Sequence, residues 1–332
     1  MWLGFWFACT AGKIEQKNSN VETDTSESIE DSAQDTDEFF RDQDGDGYPD
    51  WRGTNDWEIA DCDDSDPTVT PASERLIPEG YFLRGGNVPF AQPESSIYLS
   101  SYCMDVYEVT NRQFVEFLTY QEERGYFNKT DDGQTLFDFE DSDDDVPERI
   151  QQQNGFSVMN GFQDHPVVEV WQWSGEAFCQ WEGKRLPTEA EWEKGARGPD
   201  GNRFPWGGAE PTCDIANFGT MQSQCTGGTV AVGLYPAGAS YYGLMDTAGN
   251  VAEFVQDWFQ PDYYATAPEE NPQGPEDGFF DDGNGNSYVA IVARSGNFAT
   301  GQENLQTFTR QPEPYDANSN GVGFRCVRGL EP

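Results

Sequence analysis

The chain has 332 residues, with 19 Lys and Arg against 60 Asp and Glu, for a formal net charge of −41. A charge of that sign and size repels phosphate backbones and anionic bilayers, which excludes nucleic acid as a partner and leaves an acyl anchor as the route to a membrane. The 10 Trp and 23 Phe supply bulk for a sizeable core, while 35 Gly and 20 Pro favour a loop-rich fold over a helix bundle.

Residues 1–9, MWLGFWFAC, form a short apolar run ending at Cys9 and followed by small residues. This is the layout of a truncated lipoprotein signal with Cys9 as the lipid-attachment site. Residues 10–40 are rich in Ser, Thr, Asp and Glu and poor in apolar side chains, so a disordered linker is expected there. Together these segments predict a protein of the cell envelope or exterior, a lipid-anchored bacterial surface protein, with a cytosolic chain carrying an odd tail as the alternative. No later segment reaches the ~18 apolar residues that a membrane span needs.

Residues 41–75 form an acidic segment of calcium-binding type. In DQDGDGYPD, Asp42, Asp44 and Asp46 alternate, Gly47 permits a tight turn and Asp50 returns a fourth carboxylate. The spacing matches the first positions of a calcium loop, where hard oxygen ligands converge on a large ion. Gly53 stands where a helix–loop–helix hand would carry its bidentate Glu, and no amphipathic helices flank the loop. DCDDSDP places Asp61, Asp63, Asp64 and Asp66 close behind, and Asp61, Asp63 and Asp66 join the expected ligand set. The two stretches resemble thrombospondin type 3 calcium repeats and the DCDD motifs of bacterial surface proteins. A solvated acidic linker is the alternative.

A domain over residues 76–330 follows. Thr110 and Gln113 form a capping box ahead of a helix over about 111–121, with Phe114, Phe117 and Leu118 on one face. Residues 138–149, DFEDSDDDVPER, read as an exposed loop without a site. A second amphipathic helix is expected over about 174–182. In GKRLPTEAEWEKGARG, Thr188 and Glu191 cap a short third helix that Gly195 and Gly198 punctuate. The later half carries β-rich runs such as TVAVGLY (229–235) and SYVAIVARSG (287–296), separated by Gly and Pro turns.

The landmarks fall in a specific order: IPEGYFLRGG, YCMDVYEVTNRQFVEFL, HPVVEVWQWSGEAFCQWEGKRLPTEAEWEKGARG, RFPWGG, YGLMDTAGNVAEFVQDWF, RSGNFA and GFRCVRG. Over about residues 77–329 this series resembles the formylglycine-generating enzyme, or sulfatase-modifying factor, family. The resemblance implies one α+β domain with a C-type-lectin-like fold, loop-rich and low in regular secondary structure. It also implies a calcium site near GNV-E, from the side chains of Asp246 and Glu253 with carbonyls of Gly249 and Val251. A second family calcium site would begin at Asn217 and Phe218, although its other ligands do not map onto this sequence.

The resemblance pairs Cys179 with Cys326. Cys213 and Cys225 bracket a short step rich in small residues, which suits local pairing. With Cys9 assigned to the lipid anchor, Cys62 and Cys103 remain, and no feature of the sequence itself pairs them. Family oxidases use two reactive, copper-binding cysteines five residues apart after their RGGS-aromatic strand, since soft thiolates suit Cu(I). Aligned on Arg294 and Phe298, this chain has Thr300 and Leu305 at those positions, so copper is not expected. Another branch of the fold holds iron with three histidines, whereas His165 is the single histidine here. It precedes Pro166, where a packed turn residue is the expectation.

The preferred expectation is therefore a calcium-stabilised, exported, non-oxidase member that acts by binding a glycan, a peptide or an envelope protein. Trp258, Tyr263, Tyr264, Asn297 and Phe298 on the late loops would form the binding surface. The alternative is a formylglycine-generating oxidase or another oxidoreductase of the family.

Overall fold

The computed structural model describes residues 42–54, 56–139, 149–220 and 223–330. The expectations for Cys9, for the 10–40 linker and for most of the 138–149 loop lie outside the described residues. The architecture is α+β. Helix α1 spans Asn111–Glu123, α2 spans Gln172–Trp181 and α3 spans Glu189–Arg197. The Thr110–Gln113 and Thr188–Glu191 capping boxes both form, satisfying backbone donors that the first turn would leave bare. Helix α3 continues through Gly195 and ends at Gly198, whose φ is +69°. Gly195 is required by packing instead: a Cβ there would lie 2.9 Å from Leu244 Cδ1 and 3.1 Å from Met104 Sδ.

The larger sheet has the order Gln311–Pro314, Ala290–Arg294, Ala252–Trp258, Val322–Phe324. Its first two pairings are antiparallel and the last is parallel. A second sheet sets Tyr102–Asp105 between Glu74–Ile77 and Val327–Gly329, antiparallel to both. Gly80–Arg84 and Ser95–Leu99 form a separate hairpin. The run 287–296 yields the strands Ser287–Tyr288 and Ala290–Arg294. The strand expected over 229–235 is absent. Val230 N donates to Asn250 Oδ1 (2.9 Å) and Gly233 N to Asp246 Oδ2 (2.6 Å), so side chains replace ladder partners.

The main core lies where α1, α2 and the larger sheet meet, around Phe114, Phe117, Phe178, Leu186, Phe254 and Phe324. Each such fully buried aromatic contributes roughly 1.5–3 kcal/mol by leaving water. Helix α3 buries charge as well. Arg294 bridges Glu189 (2.7 Å) and Glu193 (3.1 Å), Arg310 meets Glu189 (2.7 Å) and Arg197 meets Glu193 (2.9 Å).

Disulfides join Cys62–Cys103, Cys179–Cys326 and Cys213–Cys225. The first ties the acidic segment to the smaller sheet. Ala60, Cys62, Val69, Leu76 and Cys103 share a buried cluster there, with Trp51, Trp57 and Leu330 packed against it. Residues 42–75, expected as a segment of their own, are packed onto the domain rather than standing off from it.

Candidate metal centre

The first acidic stretch curls because its carboxylates cap its own backbone. Asp42 accepts from Gly45 N (2.6 Å) and Gly47 N (3.0 Å), Asp44 from Asp46 N (3.1 Å) and Asp46 from Tyr48 N (2.8 Å). Gly45 and Gly47 take φ of +82° and +95°, a left-handed conformation that glycine adopts without steric cost. The second stretch is laced to the first. Asp50 and Asp61 form a parallel bridge, Asp61 N donates to Pro49 O (2.8 Å), and Gln43 N donates to Asp64 Oδ1 (2.6 Å).

Two triads of carboxylate oxygens result, Asp42–Asp44–Asp46 and Asp44–Asp61–Asp64, each within 4.8 Å and sharing Asp44. Asp61 is fully buried, yet its Oδ2 has no hydrogen-bond partner, and neither have the buried Oδ2 atoms of Asp44 and Asp46. A buried carboxylate oxygen without a donor is costly. Burial, reinforced by the charges of Asp46, Asp44 and Asp64, pushes the Asp61 carboxyl up to about 7, and burial also raises Asp44. An oxygen-only donor set around orphaned anionic atoms fits a hard divalent cation such as calcium.

Three other expected ligands face elsewhere. Asp50 accepts from Arg52 N (2.8 Å) and Nη1 (3.2 Å). Asp63 pairs with Arg328 (2.9 Å), and Asp66 accepts from Thr68 N (3.0 Å) and Oγ1 (2.7 Å). Asp64, outside the expected ligand set, takes part instead. Its signal is the backbone bridge between Asp50 and Asp61, which spacing alone does not reveal.

The GNV segment is organised by internal partners. Both Glu253 oxygens are taken by Arg325, at 2.7 and 2.8 Å, and one also by Trp192 Nε1 (2.8 Å). Asp246 accepts from Gly233 N, and burial raises its carboxyl to about 6. Asn217 donates to Gly228 O (2.8 Å) and accepts from Thr226 Oγ1 (2.7 Å), and its carbonyl receives Asn250 N (2.8 Å). Gly249 O accepts from Ser295 Oγ (3.4 Å), and Val251 N donates to buried Glu108 (3.1 Å). The ligand set drawn from the resemblance thus meets an Arg-neutralised Glu253, and Phe218 packs with Phe204, Ala216 and Ala248.

At the positions of the family's reactive cysteines, Thr300 Oγ1 accepts from Asn297 N (2.8 Å) and donates to Asn297 O (3.1 Å). Leu305 is fully buried against Phe204 and Ala248. Among the described residues every cysteine is in a disulfide, so this donor set does not fit copper. His165 Nδ1 lies 3.0 Å from Thr229 Oγ1 and its ring 4.8 Å from that of Phe162, and burial lowers its pKa.

The late-loop aromatics expected as a binding surface are mostly core. Tyr263, Tyr264 and Phe298 are buried, and Trp258 lies against Tyr315 at 5.0 Å. Tyr264 carries Arg84 and Arg310 over its ring at 4.2 and 4.4 Å, and Asn297 donates to Gly321 O (3.2 Å).

Comparison with known proteins agrees with this architecture. The model of the sulfatase-modifying factor enzyme 1-like domain matches residues 62–330. The chain is 34% identical over 264 residues to the serine/threonine-protein kinase pkn1 of Chlamydia caviae, covering 77% of this chain but only 38% of that protein. It is 32% identical over 292 residues to the formylglycine-generating enzyme of Thermomonospora curvata, covering 76% of this chain and 91% of that enzyme. Among solved structures, PvdO from Pseudomonas aeruginosa superposes with a TM-score of 0.57 at 21% identity, over 77% of this chain and 94% of PvdO. The chain therefore belongs to the sulfatase-modifying factor enzyme 1-like family and has the α+β fold of the formylglycine-generating enzymes.

Proposed function

We propose that the protein is an exported, calcium-stabilised, non-oxidase member of this family that acts as a binding module at the cell envelope. The observation that carries the non-oxidase reading is the pairing of all six described cysteines, with Thr300 and Leu305 where thiols would be needed. Three structural disulfides support an oxidising compartment outside the cytosol, and Cys9 would supply the lipid anchor. Asp42, Asp44, Asp46, Asp61 and Asp64 would hold the cation, and the orphaned Asp61 oxygen supports that assignment. The partner would be a glycan, a peptide or another envelope protein.

Formylglycine-generating oxidase is the second reading, favoured by the match to nearly the full length of the Thermomonospora curvata enzyme. The test is an assay of the purified chain with Cu(I), oxygen and a Cys-x-Pro-x-Arg peptide, read by mass spectrometry. No aldehyde is expected, and conversion of the peptide cysteine would overturn the non-oxidase reading. Calcium titration of the same sample by calorimetry should show saturable binding, and its absence would remove calcium from the reading.

A further inference from the structure

A cleft of about 550 Å³ opens between α1 and α2, bordered also by the turn at residues 130–134. Four aromatic side chains line it, Phe117 and Tyr120 from α1 and Trp173 and Trp181 from α2. The core beneath presets these rings. Trp181 lies 5.6 Å from the Phe117 ring and 5.8 Å from Tyr120, while Trp173 stacks on Trp171 at 5.3 Å and donates Nε1 to Thr135 O (2.8 Å). Rings already fixed by packing lose little freedom when a ligand arrives. Unlike the buried late-loop aromatics, Trp173 and Trp181 are half-buried and Tyr120 is 41% exposed.

The polar lining is acidic. Asp131 is neutralised by Arg124 through two bonds of 3.0 and 2.9 Å. Among the described residues, Asp132 accepts only from the Thr130 hydroxyl and Glu176 only from Gln180 Nε2 (3.2 Å), so neither meets a positive charge. Arg124 also shows the local chemistry at work, with its guanidinium 5.4 Å from the Tyr120 ring centre and its partner carboxylate alongside. Aromatic faces beside unneutralised carboxylates attract organic cations. The net charge of −41 steers cations toward the whole surface and does nothing for a neutral sugar.

We propose that this cleft binds the ammonium or guanidinium group of an extended cationic ligand, supplied by a basic peptide or by a free polyamine. The inference rests on the binding-module reading and gives its ligand a chemical class and a place. Asp132 and Glu176 supply charge, and the accessible rings of Tyr120, Trp173 and Trp181 offer apolar surface to the aliphatic stem and cationic head, with buried Phe117 beneath them.

The test titrates the full chain, with calcium present, with acetyl-Lys-Lys-Lys-amide, spermidine and maltotriose, following tryptophan fluorescence and heat. Saturable binding of at least one cationic ligand is expected, with no response to maltotriose. Preference for the tripeptide assigns the source to basic peptides, and preference for spermidine assigns it to polyamines. The double variant Asp132→Asn/Glu176→Gln should weaken binding by about tenfold, because it removes the ionic partners. Trp181→Ala should weaken it similarly, but Trp181 also packs on Phe178 (5.6 Å) and its loss perturbs the core. The double variant carries the decision, since it sits on exposed residues and removes only two of 41 net negative charges, leaving non-specific attraction in place. Unchanged affinity in that variant, or binding of maltotriose in preference to the cations, would overturn the proposal. A calcium transition that persists in the same samples would locate such a failure in the cleft and not in the metal centre.

Discussion

Replacing Asp61 by Asn should have opposite effects on stability with and without calcium. In the cation-free chain Asp61 is a fully buried carboxylate whose Oδ2 lacks a donor and whose nearest charges are those of Asp46, Asp44 and Asp64. Removing its charge relieves repulsion, so D61N should unfold at the same or a higher temperature in chelator. With calcium present the sign reverses. A cation at 100 times its dissociation constant stabilises the folded state by about 2.7 kcal/mol, which for a domain of this size moves the melting temperature by about 4–5 °C. D61N should lose most of that shift. Differential scanning calorimetry of both proteins in EDTA and in millimolar calcium reads all four states. The pH dependence supplies an independent check. The folded Asp61 carboxyl is raised from 3.8 to about 7, so between those values the folded state holds a proton that the unfolded state has released. The chelated wild-type chain should therefore lose stability as pH rises through that window, and calcium should offset the loss. Identical melting shifts for wild type and D61N on adding calcium would refute the reasoning.

Glu253→Gln should cost about 3–5 kcal/mol in denaturant unfolding, because Arg325 is then left buried without its counter-ion. Calcium affinity in that variant should match wild type, and a large drop would return Glu253 to the ligand set. The Cys62→Ser/Cys103→Ser double variant should lose about 2–4 kcal/mol. It should also speed proteolysis within residues 42–66, measured by mass spectrometry of early fragments, and unchanged cleavage there would show that packing alone holds the segment. Leu305→Ala should cost about 2–5 kcal/mol by opening a cavity against Phe204 and Ala248, measured by chemical denaturation. A cost below 1 kcal/mol would argue that this position lies in an open site.

Most of the local structure was legible because short-range chemistry decides it. The capping boxes at Thr110 and Thr188 mark two helix starts to the residue, and aromatic periodicity marks the face that α1 buries. Where backbone partners came from distant side chains, the pattern misled. Residues 229–235 look like a strand, but the Val230 and Gly233 amides are taken by the side chains of Asn250 and Asp246, and Val232 N donates to Asp164 O. The acidic segment was legible as a cluster and not as a ligand set. Which of Asp50, Asp63, Asp64 and Asp66 turns toward the shared centre depends on Arg52, Arg328, Thr68 and the Gln43 amide, and Arg328 lies 265 positions from Asp63. The late-loop aromatics failed as a surface for a similar reason. Tyr264 is drawn inward by Arg84 and Arg310, cations that composition cannot assign to it.

The long reach of the last strands sets the order in which the chain can fold. Val322–Phe324 pairs in parallel with Ala252–Trp258, and Val327–Gly329 completes the sheet begun by Glu74–Ile77 and Tyr102–Asp105. Arg325 neutralises Glu253, and Arg328 reaches back 254 positions to Glu74. Until residues 322–329 have emerged, the anions at Glu74 and Glu253 lack these partners and two sheets lack an edge. Closure over such distances is slow. A ribosome-bound chain lacking those residues should therefore keep both sheets open, and lock only when the last strands dock.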